Sequence, residues 1–184
     1  MKRVFIVHGW GGRGNEAWIP WLKGELEKSG FEVYALNMPN SDEPTIEDWV
    51  GFLAKNVQSP DSDTYFVGHS IGCQTILRYL ETINIPVGGA VFVAGWFNLE
   101  DLEGYKEAEI ARPWINTPID LKKVKTVLPK STLIISDNDP FGCFEENKKK
   151  YSELGSKIII LHNAGHINEE NNYWKLPEIL EELK

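Results

Sequence analysis

Cysteine is scarce in this sequence: Cys73 and Cys143 are the only two among 184 residues. Two cysteines make neither a disulfide framework nor a zinc knuckle. Long apolar runs are missing as well, and nothing approaches the roughly 20 residues needed to cross a bilayer. Behind the basic Met1-Lys2-Arg3 stand only four apolar residues, Val4 to Val7, before His8-Gly9. That is too short for the apolar core of a secretory signal. Positive charge is in deficit, with 19 basic against 27 acidic side chains and a net charge of −8. Such a surface repels phosphate backbones and anionic lipid. Repeats, low-complexity tracts and linkers do not occur. The hydrophobic fraction of 42% and charged fraction of 25% fit a globular chain and not a disordered one. The expectation is one cytoplasmic domain over residues 1–184, with neither nucleic acid nor membrane as partner.

What is present is alternation. Short apolar runs predict strands over Arg3–His8, Phe31–Leu36, Thr64–Gly68, Gly89–Ala94, Thr132–Ser136 and Lys157–Leu161. Most are continuous, as in Val4-Phe5-Ile6-Val7, the pattern of strands covered on both faces. Between them, Trp18, Trp21, Leu22 and Leu26 share one helical face, with Gly30 as a stop. Ile46, Trp49, Val50, Leu53 and Val57 share another, opened by a capping pair of Thr45 and Asp48. Leu176, Ile179, Leu180 and Leu183 mark a last helix. Strand–helix alternation predicts a three-layer α/β/α domain around a mostly parallel sheet of six strands. Ligands then sit beyond the carboxyl ends of the strands. The one long irregular interval, Phe97–Lys130, reads either as a small cap over the site or as a surface helix plus loop.

One post-strand loop carries a nucleophile signature. Gly68-His69-Ser70-Ile71-Gly72 follows the apolar run Tyr65-Phe66-Val67 and precedes a helical pattern of Ile76, Leu77 and Leu80. A sharp strand-to-helix turn strains the serine, and glycines two residues either side avoid collisions. The Ser70 hydroxyl is thereby thrust into the open, and the Ile71 amide at the helix start becomes an oxyanion donor. The short pattern arises by chance in glycine-rich chains, so its strand-before, helix-after context carries the weight. The first strand ends in His8-Gly9-Trp10-Gly11-Gly12, where a glycine-rich loop supplies a second oxyanion amide, assigned to Trp10. Gly9-x-Gly11-x-x-Gly14 also satisfies a dinucleotide fingerprint. The helix after it is delayed to Pro20, however, and no acid at the end of the second strand is placed for a ribose.

A serine nucleophile needs a base and an orienting acid, in the chain order serine, acid, histidine. His162 and His166 follow Ser70, and His166 has the freer loop, Asn163-Ala164-Gly165, to turn back over it. Their spacing resembles a zinc pair but lacks the helix and the glutamate of that motif, so no metal is expected. The acid is Asp137 or Asp139, in Ser136-Asp137-Asn138-Asp139-Pro140, with the other shaping the turn.

Together these motifs resemble the α/β-hydrolase fold. Within it the chain is similar to the small serine hydrolases related to retinoblastoma-binding protein nine and bacterial YdeN-type proteins. The residues that carry this likeness are His8-Gly9, Trp18-Ile19-Pro20-Trp21-Leu22, the serine turn, Asn138-Asp139-Pro140-Phe141 and Gly165-His166. The resemblance implies Ser70 as nucleophile, Asp139 as acid and His166 as base, on a sheet without the usual first antiparallel pair. It does not extend to the Leu-x-Cys-x-Glu motif of the vertebrate relative, which Phe141-Gly142-Cys143-Phe144-Glu145 only imitates. The expected function is hydrolysis of a small ester, thioester or amide through a Ser70 acyl-enzyme, with a small-molecule acyl substrate and no cofactor. Acyl transfer, or a non-catalytic binding protein on the same fold, are the alternatives. Trp10, Trp18, Trp96 and Trp114 are candidate walls of an apolar pocket.

Overall fold

The computed structural model describes residues 1–100, 102 and 104–183. Six strands, β1 (Arg3–Val7), β2 (Glu32–Leu36), β3 (Thr64–His69), β4 (Gly89–Val93), β5 (Ser131–Ser136) and β6 (Lys157–Leu161), form one sheet. Their order is β2-β1-β3-β4-β5-β6 and every pairing is parallel. Seven helices connect them among the described residues: α1 (Ile19–Lys28), α2 (Ile46–Val57), α3 (Ile71–Thr82), α4 (Tyr105–Asn116), α5 (Leu121–Val127), α6 (Phe144–Leu154) and α7 (Pro177–Leu183). This is the α/β-hydrolase arrangement with a reduced, all-parallel sheet.

Successive side chains of a strand point to opposite faces, and β1 shows the consequence. Val4 and Ile6 enter a core with Trp18, Leu22 and Leu26 of the α1 side and Ile179 of α7. Phe5 and Val7 enter the other core, with Trp49 and Leu53 of α2, Ile76 of α3 and Tyr151 of α6. The uninterrupted apolar run of β1 therefore serves two layers at once. At the start of α2 the Thr45 hydroxyl accepts from the Asp48 amide at 3.2 Å and donates to the Asp48 carboxylate at 2.9 Å. The capping pair forms as the sequence suggests.

The interval 97–130 is more ordered than its composition suggests. Helix α4 runs through Arg112-Pro113-Trp114, although an interior proline removes a hydrogen bond and favours a break. Tertiary anchors hold it. Trp114 is buried against Trp49, and its indole donates to the Pro44 carbonyl at 3.1 Å. The Arg78 guanidinium, buried on α3, donates to the carbonyls of Trp114 (2.9 Å) and Thr117 (2.7 Å) at the end of α4. Trp114 thus belongs to the core rather than to a pocket wall.

The chain leaves β1 for β2 on one side and returns to β3 on the other. The carboxyl ends of β1 and β3 flank this reversal, where open α/β sheets hold their ligands.

Candidate active site

Strand β3 ends at His69, α3 begins at Ile71, and Ser70 between them has φ 53° and ψ −122°. A non-glycine residue with positive φ is strained and persists only where its surroundings fix it. The flanking glycines make room. A Cβ on Gly72 would come within 2.4 Å of the Val7 carbonyl oxygen, and one on Gly68 within 2.8 Å of the Cys73 nitrogen. Ser70 is 7% exposed, and its Oγ accepts a hydrogen bond from Trp96 Nε1 at 3.3 Å. No direct Ser70–His166 hydrogen bond is formed among the described residues. Catalytic hydrogen bonds of resting enzymes are commonly long or misaligned and tighten on substrate binding. As the first residue of α3, Ile71 has an amide with no acceptor inside the helix.

The loop after β1 is held by His8. The Met38 amide donates to His8 Nε2 at 2.9 Å, so His8 Nδ1 carries the proton and donates to the Gly9 carbonyl at 2.7 Å. Burial pushes the His8 pKa below its ordinary value and keeps the ring neutral. Because the peptide group is planar and trans, fixing the Gly9 carbonyl also fixes the Trp10 amide, pointing the opposite way. The following amides are engaged within the protein: Gly11 with the Ser41 carbonyl, Gly12 with the Gly9 carbonyl, Arg13 with the Glu16 carboxylate and Gly14 with the Asn37 side chain. A dinucleotide loop offers such amides to a pyrophosphate, and α1 begins only at Ile19.

The two acid candidates separate cleanly. Asp139 Oδ2 meets His166 Nδ1 at 2.8 Å, each side chain being 11% exposed. Its Oδ1 accepts from the Phe141 amide at 3.1 Å. His166 therefore donates from Nδ1 and keeps Nε2 for other partners. Asp137 pairs instead with His162, 2.5 Å away, whose side chain is 76% exposed. The Asn163 amide and then His162 hold the Asp137 carboxyl below its usual range. Sheet register explains the pairing: Ser136 lies opposite Leu161, so the next residues, Asp137 and His162, meet directly. Among the described residues, no cluster of three or more His, Cys, Asp or Glu is placed to hold a metal ion.

Ser70 and His166 line one cavity of about 690 Å³, walled by Trp10, Trp18, Trp96, Leu99, Leu102 and Phe141. Among the described residues, His166 is the one member of the two Asp–His pairs that lines it. Sequence reasoning passed over His69, the variable residue of the serine turn, and gave His8 no role beyond its place before Gly9. The available signal was position, since each ends or directly follows a strand that leads into the site.

A reduced α/β-hydrolase sheet with a strained serine turn and an Asp–His couple whose histidine lines the same cavity defines a class of serine enzymes. The serine hydrolase family matches residues 4–184, and the chain belongs to that family. It is a hydrolase. Among particular relatives, YdeN of Bacillus subtilis (strain 168) is 28% identical over 184 residues, 99% of this chain and 94% of that protein. The crystal structure of the B. subtilis ydeN gene product superposes with a TM-score of 0.89 at 27% identity, covering 98% of this chain and 96% of that one. Serine hydrolase RBBP9 of Rattus norvegicus is 27% identical over 168 residues, 89% of this chain and 86% of that protein. Among the described residues no helix is long and apolar enough to cross a membrane.

Proposed function

We propose that this serine hydrolase cleaves small carboxylic esters, or the related thioesters and amides, through an acyl-enzyme on Ser70. The observation that carries the reading is the buried Asp139–His166 couple at 2.8 Å, whose histidine lines the same cavity as the strained Ser70. In this mechanism a rotation about χ1 turns the Ser70 hydroxyl from Trp96 to His166 Nε2, which takes its proton as Oγ attacks the acyl carbon. The amides of Ile71 and Trp10 receive the charge that develops on the acyl oxygen. His166 then protonates the leaving group, and Asp139 holds the imidazole in the tautomer that both steps need. A water activated by His166 releases the acid. No cofactor enters any step.

The substrate class follows from the walls. The cavity lies within the ordinary range for small-molecule sites, roughly 300–1,000 Å³, and its lining joins an aromatic and aliphatic part (Trp10, Trp96, Leu99, Phe141) to a polar one (Arg13, Glu16, Glu107, Glu169). Leu99 and Leu102, ahead of α4, close one side, so residues 97–130 act as a small cap on a single domain spanning 1–184. Arg78 and Trp114 tie the last turn of α4 to the core, and a cap anchored there leaves little room for a long chain. A cytoplasmic location completes the reading, in keeping with a cysteine-poor composition. A series of p-nitrophenyl esters from acetyl to dodecanoyl tests it. Butanoyl and shorter esters are expected to show kcat/KM at least about tenfold above the dodecanoyl ester, since about 1.4 kcal/mol of lost fit suffices. A preference for dodecanoyl would overturn the fixed cap, and no turnover of any ester, thioester or amide would overturn the substrate class.

A further inference from the structure

The loop after β6 carries His166 back over the serine turn, and it has no strand neighbour to satisfy its backbone. Side chains do so instead. Four successive amides, of Asn163, Ala164, Gly165 and His166, donate to Asp137, Ser136, Asn138 and Asn171 at 2.8–3.0 Å. Two successive carbonyls, of His166 and Ile167, receive ring N–H groups from His69 Nε2 (2.9 Å) and Trp18 Nε1 (3.1 Å). The two rings pack edge to face, 6.1 Å apart. Ile167 has φ 54°, a conformation costly for a β-branched residue. Its φ and ψ set the angle between the two clamped carbonyls.

His69 also touches the other side of the site. A carbonyl can only accept, so Nε2 holds the His69 proton and Nδ1 is bare. Nδ1 faces the loop after β1, where a Cβ on Gly9 would come within 2.8 Å of it and 3.3 Å of Ser70 Cβ. One imidazole thus sets the spacing of three pieces: the serine turn, the loop bearing Trp10 and the loop bearing His166. Its ring centre lies 5.0 Å from that of His166. The ionisable groups that bear on it are His166, Asp139 and His8. Burial, reinforced by the neighbouring His166, lowers the His69 pKa to about 3. The ring stays neutral and adds no cation beside the imidazolium that forms during acyl transfer.

We infer that His69 is a positioning residue which, with Trp18 as a second clamp, fixes the His166 imidazole against Ser70 Oγ. The inference rests on the reading of Ser70 as nucleophile and His166 as base. His69 and Trp18 themselves line the cavity, but the hydrogen bonds at issue go to backbone carbonyls of the His166 loop, so loosening the clamp acts on the chemical step. Displacement of a reacting group by about 1 Å can cost on the order of 10²-fold in rate.

The test measures short-chain ester turnover by His69→Leu, His69→Gln, Trp18→Phe and the double variant His69→Leu/Trp18→Phe, each checked for folding by thermal melt. His69→Leu is expected to lose about 30–100-fold in kcat with KM changed less than about twofold. His69→Gln places a donor near the position of Nε2 and is expected to recover kcat to within about fivefold of wild type, with the acid limb of its pH profile still present. Trp18→Phe keeps the ring, loses the N–H and is expected to cost about five- to tenfold in kcat, with less than multiplicative loss in the double variant. Wild-type kcat in a folded His69→Leu protein overturns the inference, as does a loss confined to KM. Failure of His69→Gln to restore kcat, or disappearance of its acid limb, overturns it too. If His69→Leu does not fold, Trp18→Phe decides: reduced kcat at constant KM supports the clamp, and wild-type kcat refutes it. Failure of the underlying reading looks different, because Ser70 would then take up no fluorophosphonate even in the wild-type protein.

Discussion

Ser70→Ala is expected to lower ester turnover by about 10⁵–10⁶-fold, in line with the loss seen when the nucleophile of a serine triad is removed. The protein should remain folded. Alanine keeps the Cβ that already tolerates φ 53°, and the contacts of Gly68 and Gly72 with the surrounding backbone are untouched. Among the described residues, the side-chain hydrogen bond lost is the one from the Trp96 indole N–H, at 3.3 Å. Leaving that donor unpaired costs about 1–3 kcal/mol, a visible but not disabling loss. Steady-state kinetics and a thermal melt on the same preparation check both halves. A folded Ser70→Ala protein with wild-type turnover would contradict the acyl-enzyme mechanism.

Asp139→Asn should be nearly as damaging, at about 10⁴-fold in kcat with little change in KM. Asparagine fits the space, but its amide group, turned towards His166, donates to Nδ1. That forces the proton of the neutral imidazole onto Nε2, the nitrogen that accepts the Ser70 proton in the proposed mechanism. If the asparagine oxygen instead stays with His166, the amide nitrogen opposes the Phe141 N–H, which now donates to Oδ1. Asp137→Asn is the control. Its carbonyl oxygen still accepts from the Asn163 amide, and only the exposed pair with His162 is lost. Exposed pairs contribute about 0–1 kcal/mol, so kcat should stay within about threefold of wild type. A crippled Asp137→Asn beside an active Asp139→Asn would reverse the assignment.

Much of this architecture is legible from residue order. The run Val4-Phe5-Ile6-Val7 announces a strand between two layers, and β1 supplies both cores. The glycines around Ser70 announce a turn with no room for side chains, and the clearances bear this out. Two features needed the third dimension. Helix α4 passes through Pro113 because Arg78, 36 residues away, and the Trp114 indole hold its last turn. Local propensity carries no trace of such anchors. The partnering of Asp137, Asp139, His162 and His166 depends on the β5–β6 register, which sets Ser136 opposite Leu161. Once that register is known, the inner pair follows from adjacency, and Asp139 is left for the histidine on the longer loop. The His69 and Trp18 clamps are hidden for the same reason. They reach across 97 and 149 residues to backbone carbonyls, which have no signature in the sequence.

The central claim is that Ser70 is the activated nucleophile of this cavity. Incubation of the folded protein with a fluorophosphonate, followed by intact-mass and peptide mass spectrometry, tests it most directly. The mechanism predicts one adduct per chain, located on Ser70, absent from Ser70→Ala and formed far more slowly in Asp139→Asn. An unmodified protein, or an adduct on any other residue with Ser70 untouched, would contradict it.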